Sequence, residues 1–237
     1  MQINTYHCIV RGNVELAPAI FEIELELAEP DSIQFQAGQF VNIHIPTAER
    51  VIMRPYSIVS PAYEHHLIRL CYKFIPEGRG TTYLISLKPG ERVTFTGVFG
   101  HFVLDQNSKR EIVFLATGAG IAPILSMIQT LYGEQNNRKA VLYFGVKTKQ
   151  DIFYESILSE VAVKHPCFSS HICLSRDDKP QAPYRSGRIH KALGEDINDF
   201  SGKEAYICGS KEMVEEMKSF LFSTGMEKQH IFTEKFY

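Results

Sequence analysis

The sequence has no surplus of one charge, no paired cysteines and no long apolar run, and each absence removes a class of function. Among 237 residues the formal net charge is -2, which gives no general attraction to nucleic acid or to an anionic membrane. No stretch reaches the roughly 18 unbroken apolar residues of a membrane span. The opening MQINTYHCIVRGN has neither a basic nor an apolar region, so no secretory signal is expected. The five cysteines, Cys8, Cys71, Cys167, Cys173 and Cys208, are odd in number and scattered. That pattern argues against a disulfide framework and for a reducing, cytoplasmic setting. They form no C-x2-C pair and no C-x4-C-x2-C run, so any electron transfer is expected to proceed without a metal cluster in this chain.

What is present is ordinary globular material. Apolar residues make up 44% and charged residues 22%, and a chain of this length predicts two domains, each able to bury a core. The first, residues 1–105, reads as short strands with turn signals between them. In Ile20 to Ala28, Phe21, Ile23, Leu25 and Leu27 alternate with Glu22, Glu24 and Glu26, the pattern of a strand with one wet face. Further strands are predicted at Ile3 to Val10, Gln39 to Ile45, Tyr56 to Ser60, Leu67 to Phe74 and Arg92 to Thr96, with a short helix over Thr81 to Leu87. Six strands so spaced predict a small antiparallel β-barrel. Polar residues Asp105 to Arg110 read as a linker. In residues 106–237 strands at 111–116, 139–145, 168–174, 204–208 and 230–236 alternate with helices at 122–133, 152–163 and 211–222. This predicts an open, parallel, five-stranded α/β sheet whose ligands gather at the carboxyl ends of its strands.

The most informative stretch is EIVFLATGAGIAPILSMIQTL, Glu111 to Leu131. Ile112 to Ala116 are apolar without alternation, as in a strand covered on both faces. Gly118 and Gly120 permit a tight turn, and Pro123 suits the first turn of a helix. A helix N-terminus there would offer free N–H groups to an anion. The dinucleotide fingerprint G-x-G-x-x-G fits poorly, because Pro123 holds the third glycine position and Lys147 stands where an acidic ribose ligand is wanted. In the first domain, Arg54-Pro55-Tyr56-Ser57 sets a guanidinium for phosphate, a flat ring and a hydroxyl in one strand. Gly78-Arg79-Gly80-Thr81-Thr82 opens the short helix, a second place for a phosphate. Singly, each also reads as a surface arginine or a common helix cap.

In combination and order, these motifs resemble the ferredoxin-NADP reductase superfamily over nearly the whole chain. Arg54-Pro55-Tyr56-Ser57 is similar to its R-x-Y-S flavin motif, Gly80-Thr81-Thr82 to its flavin pyrophosphate loop, and Gly97 to Phe102 to its glycine-rich turn. Thr117-Gly118-Ala119-Gly120 resembles its pyridine-nucleotide loop, Cys208-Gly209-Ser210 its C-G motif, and Glu234 with Phe236-Tyr237 its carboxyl end.

The resemblance implies roles. Arg54 with Thr81 or Thr82 would hold the FAD pyrophosphate, Tyr56 would pack on the isoalloxazine and Ser57 lie near N5. Gly118 and Gly120 would admit the nucleotide, with Thr117 and Cys208 close to the nicotinamide, and Tyr237 would cover the flavin face opposite Tyr56. Lys147, Ser175 and Arg176 would meet the 2'-phosphate of NADPH, with NADH also possible; Lys147 stands where many relatives have arginine. Read from the residues alone, Cys208 is equally a small buried residue at a strand end, and Arg176 equally an ion-pair partner of Asp177 or Asp178.

The implied catalytic set is Ser57, Cys208, Glu234 and Tyr237, serving hydride transfer from NADPH to FAD and onward delivery to a separate redox carrier, ferredoxin or flavodoxin. The resemblance is to a single reductase module without an iron-sulfur domain, and a monomer is expected. A reductase of free flavin, or a flavin-bearing subunit of a larger complex, are the alternatives.

Overall fold

A computed structural model describes residues 3–236. The chain divides into two compact units, one of residues up to Leu104 with 125–130, the other of Asp105–Ile124 with Leu131 onward.

The first unit is built from six strands, β1 Asn4–Ala17, β2 Ile20–Glu29, β3 Phe40–Pro46, β4 Val51–Ser57, β5 Leu67–Lys73 and β6 Arg92–Phe99, with helix α1 Arg79–Ser86. They form one antiparallel sheet in the order β4-β3-β6-β1-β2-β5. An antiparallel bridge between Ile58 and Leu70 joins its two ends into a barrel. Inside lie Val10, Ile23, Leu25, Ile43, Leu70 and Phe95, all inaccessible to solvent. The expected alternation on β2 is present except at Glu22, which is buried.

Two strands depart from expectation. β1 runs to Ala17 rather than Val10, because bulges at Val10/Gly12 and Glu15/Ala17 let the ladder with β2 continue past Val10. β4 begins at Val51 rather than Tyr56. It is terminal in the sheet order and pairs only with β3 in the ladder, so Pro55 is tolerated within it.

The second unit holds strands β7 Glu111–Thr117, β8 Ala140–Val146, β9 Phe168–Leu174, β10 Arg185–Ser186, β11 Lys203–Ser210 and β12 Ile231–Phe236. All pair in parallel, in the order β10-β9-β8-β7-β11-β12. The sheet is six-stranded rather than five because β10, only two residues long, adds to the edge. Helices α2 Ile121–Gly133, whose residues 125–130 group with the first unit, α3 Glu155–Lys164, α4 Ile189–Asp196 and α5 Lys211–Ser223 alternate with these strands. α4 was not expected from sequence, although Ile189, Ala192 and Leu193 are buried at helical spacing.

The polar stretch after Asp105 is fixed rather than slack. The Arg138 guanidinium donates to the carbonyls of Asp105 (2.7 Å) and Arg110 (2.8 Å) and pairs with Glu204. Glu204 also accepts from the Ser108 and Tyr206 hydroxyls. Arg138 and Glu204 are both buried, and a buried ion pair persists only when its remaining donors and acceptors are satisfied in this way. Among the described residues no helix is long and apolar enough to cross a membrane.

Candidate functional site

In the barrel unit the flavin-motif residues fall on the second half of β4. Arg54 and Pro55 are exposed, Tyr56 is half-buried and Ser57 is buried at the strand's end. The Arg54 guanidinium donates to the Met53 carbonyl at 2.8 Å and has no ion pair among the described residues, so its charge is available to an anion. Tyr56 meets Tyr72 edge to face, with centroids 6.3 Å apart and an interplanar angle of 76°. Burial pushes the Tyr56 phenol up to about 12, so it remains a neutral ring with a hydrogen-bond donor.

Helix α1 starts beside this strand. A Cβ on Gly80 would lie 2.5 Å from the Tyr56 hydroxyl and 3.1 Å from Arg54 Cγ. Only glycine allows that approach, and it draws the first helical turn, with its unsatisfied N–H groups, against the arginine and the ring. The Thr81 hydroxyl is engaged inside the preceding turn, donating to the Ile75 carbonyl at 2.9 Å and accepting from the Ile75 N–H at 3.1 Å. Thr82 is exposed and makes one longer bond, 3.3 Å, to the Pro76 carbonyl. Of the two threonines, Thr82 is therefore the freer donor. A cation, a helix N-terminus, a hydroxyl and a flat ring within one short surface suit a dinucleotide flavin, whose pyrophosphate needs the first three and whose isoalloxazine needs the fourth.

In the second unit the site residues are largely absences. Thr117 ends β7, and Gly118 to Gly120 form a tight helical turn leading into α2. Gly118 has a φ of +53° and nothing within 4 Å of its missing side chain, so its backbone is open to a ligand. Gly120 is the opposite case, since a Cβ there would lie 2.5 Å from the Cys208 carbonyl oxygen and 2.8 Å from Gly209 Cα. A side chain on Gly209 would collide with the Thr117 hydroxyl and Met213. Thr117, Gly120, Cys208 and Gly209 thus pack at the carboxyl ends of two neighbouring strands, where ligands of open parallel sheets bind. Ser210 caps α5, its hydroxyl accepting from the Met213 N–H at 3.3 Å.

Cys208 and Glu234 are register partners on β11 and β12. Cys208 is fully buried, and burial raises its thiol well above the usual range. Burial and a raised thiol both work against a thiolate nucleophile and fit a small group at the strand end. Burial also raises the Glu234 carboxyl to about 7, and its Oε2 has no hydrogen-bond partner among the described residues. A buried, unsatisfied carboxyl oxygen is uncommon and is a reason to look for a ligand donor.

Lys147 and Arg176 are brought together, since the Arg176 N–H donates to the Lys147 carbonyl at 2.9 Å. Both are exposed and neither forms an ion pair with a described residue, Asp177 and Asp178 included. The Ser175 hydroxyl donates to the Val146 carbonyl at 3.2 Å, which ties the same two strand ends. The Lys149 ammonium stands over the Tyr184 ring, 5.7 Å from its centroid, a contact with no signal in the sequence. Tyr237 lies outside the described residues.

Residues 7–104 match the family of oxidoreductase FAD-binding domains, and residues 114–219 that of oxidoreductase NAD-binding domains. The chain is 27% identical over 238 residues to the phenol 2-monooxygenase reductase component DmpP of Pseudomonas sp. (strain CF600), covering 99% of this chain and 66% of that protein. It is 28% identical over 222 residues to the propane 2-monooxygenase reductase component of Rhodococcus jostii (strain RHA1), covering 92% of this chain and 60% of that protein. Among solved structures, the Amycolatopsis cytochrome P450 reductase GcoB superposes with a TM-score of 0.90 at 28% identity, covering 99% of this chain and 70% of that one. The chain therefore spans about two thirds or less of the length of the curated relatives named here. It belongs to the ferredoxin-NADP reductase superfamily of oxidoreductases, with an FAD-binding and an NAD-binding domain.

Proposed function

We propose that this protein is a reductase that takes reducing equivalents from NADPH into FAD and passes them to a separate redox carrier, a ferredoxin or flavodoxin. The observation that carries the reading is the open glycine turn Gly118 to Gly120 beside buried Cys208, whose register partner is the half-buried Glu234. When bound, the flavin supplies acceptance of a hydride from nicotinamide C4 at its N5. The chain's own residues do the rest. Arg54, Thr82 and the first-turn N–H groups of α1 would hold the pyrophosphate, with Thr81 shaping that turn; Tyr56 would pack on the ring and Ser57 would offer its hydroxyl to the ring's reactive edge. Thr117, Gly118 and Gly120 admit the nucleotide backbone. Glu234, near its midpoint at neutral pH, can give or take a proton at Oε2. Tyr237 is carried as a proposed flavin residue from the resemblance alone.

The choice of NADPH over NADH rests on Lys147 and Arg176, two neighbouring cations without carboxylate partners, with Ser175 beside them. A cytoplasmic monomer is the setting assigned. A second reading is that the acceptor is a component of a larger oxygenase system, favoured by the two relatives that are monooxygenase reductase components. Steady-state oxidation of NADPH and NADH by the purified chain, first with ferricyanide and then with ferredoxin or free FMN, tests the proposal. Turnover with NADPH and ferredoxin supports it. Turnover only with free FMN indicates a free-flavin reductase, and no turnover with any acceptor indicates a subunit that acts only in a complex.

A further inference from the structure

Helix α1 is eight residues long and poorly held by its own sequence. Gly78 at its N-cap offers no side-chain hydrogen bond, and its last turn has no basic residue. Helices this short are marginal in isolation, so external contacts decide where it sits. Its C-terminal carbonyls find a partner across the barrel. The Asn13 side-chain amide, on β1, donates to the Leu84 carbonyl at 2.8 Å and the Leu87 carbonyl at 3.2 Å. The amide oxygen accepts from the Tyr72 hydroxyl at 3.0 Å.

Tyr72 is buried and is the joint of the arrangement. Its ring stacks on Phe21 at 5.6 Å and meets Tyr56 edge to face. Burial raises its phenol, so the hydroxyl stays a donor. An asparagine amide can point either way, and a donor at one end turns its oxygen there and its NH2 toward the helix carbonyls. At the other end of α1, Gly80 lies against Tyr56 and Arg54. One side chain, Tyr72, therefore touches both the ring assigned to the flavin and the amide that clamps the helix.

We propose that Asn13, oriented by Tyr72, is a positioning residue for the flavin pyrophosphate, clamping the C-terminal turn of α1 so that its N-terminal turn stays against Arg54 and Tyr56. The inference rests on the assignment of that N-terminal turn to the pyrophosphate. It assigns a binding role to two residues that lie 59 positions apart in the chain and act through the placement of α1.

Two near-isosteric variants test it in the full chain, stripped of flavin and titrated with FAD and with riboflavin, which lacks the pyrophosphate. Asn13→Asp sets a carboxylate against two carbonyl oxygens at the negative end of the helix. It should weaken FAD binding roughly 10-fold or more and leave riboflavin binding unchanged. Tyr72→Phe removes one oxygen and should weaken FAD roughly 3- to 10-fold, again sparing riboflavin. Thermal unfolding of the flavin-free proteins reports whether each variant folds; if Asn13→Asp does not, Tyr72→Phe decides. An unchanged FAD affinity in a folded variant overturns the proposal. So does an equal loss for FAD and riboflavin, which would mean that the ring pocket rather than the helix was disturbed. Wild-type protein that binds FAD no more tightly than riboflavin would remove the pyrophosphate assignment itself, a result distinguishable because it needs no variant.

Discussion

In the barrel unit the candidate contacts are side chains held outward, an exposed Arg54 guanidinium, a half-buried Tyr56 ring and an exposed Thr82 hydroxyl. In the α/β unit they are places where a side chain is missing, Gly118 open to solvent and Gly120 and Gly209 closed against Cys208 and Thr117. Charge is divided the same way. The barrel presents its cation at the surface, whereas the α/β unit buries the Glu234 carboxyl oxygen Oε2 without a partner among the described residues. The contrast teaches that the two halves fail in opposite ways, the first when a group is removed and the second when an atom is added or a charge is forced on the interior.

The largest expected effect concerns the buried charge. With its folded-state pKa raised from 4.5 to about 7 by burial, Glu234 binds its proton more tightly in the folded chain than in the unfolded one. Below pH 4.5 both states are protonated and nothing is lost. As pH rises toward 7 the unfolded chain releases the proton first, so stability falls, and above 7 the loss is complete at about 3 kcal/mol. Glu234→Gln should abolish this fall and be the more stable protein at pH 8 but not at pH 4.5. Parallel urea-denaturation profiles for the two proteins would show that the carboxyl is not held in this way.

Next is the removal of a cation. Arg54→Ala deletes a charge-assisted hydrogen bond worth about 1.5 to 3 kcal/mol, so FAD affinity should fall roughly 10- to 100-fold. Retention of the yellow colour through dialysis at micromolar protein would break the barrel side of the comparison. The converse test adds one methyl group. Gly120→Ala drives Cβ into the backbone of β11, an overpacking strain of about 1 to 3 kcal/mol. Nucleotide binding should weaken while bound flavin remains; loss of flavin with nucleotide binding intact would reverse the assignment of the two halves.

The smallest effect is expected at the surface. Arg176→Ala should raise KM for NADPH several-fold, consistent with the roughly 1 kcal/mol of an exposed ionic contact, and leave KM for NADH unchanged. Equal changes for both coenzymes would return Arg176 to an ordinary surface residue.

The parts of this molecule legible in sequence were those whose cause is local. Alternation on β2 and the unbroken apolar run of β7 mark their environments directly, and the turn at Gly118 to Gly120 could be placed because its glycines are needed where they stand. Structure that depends on distant partners was not legible. β10 is two residues added to an edge, and β4 starts early because its place at the end of the sheet order excuses Pro55. The Arg138 and Glu204 pair joins residues 66 apart, and neither residue differs in sequence from a surface charge. Thr81 illustrates the limit for a site residue, since its hydroxyl serves the turn that presents it.

If one chain binds both FAD and a nicotinamide nucleotide, the nucleotide should reduce the flavin within it. Anaerobic titration of the FAD-loaded protein with NADPH, followed by visible absorption, measures this step. Loss of the oxidised-flavin band with stoichiometric NADPH, and a weaker response to NADH, is the expected result. A band that persists in excess of both nucleotides would contradict it.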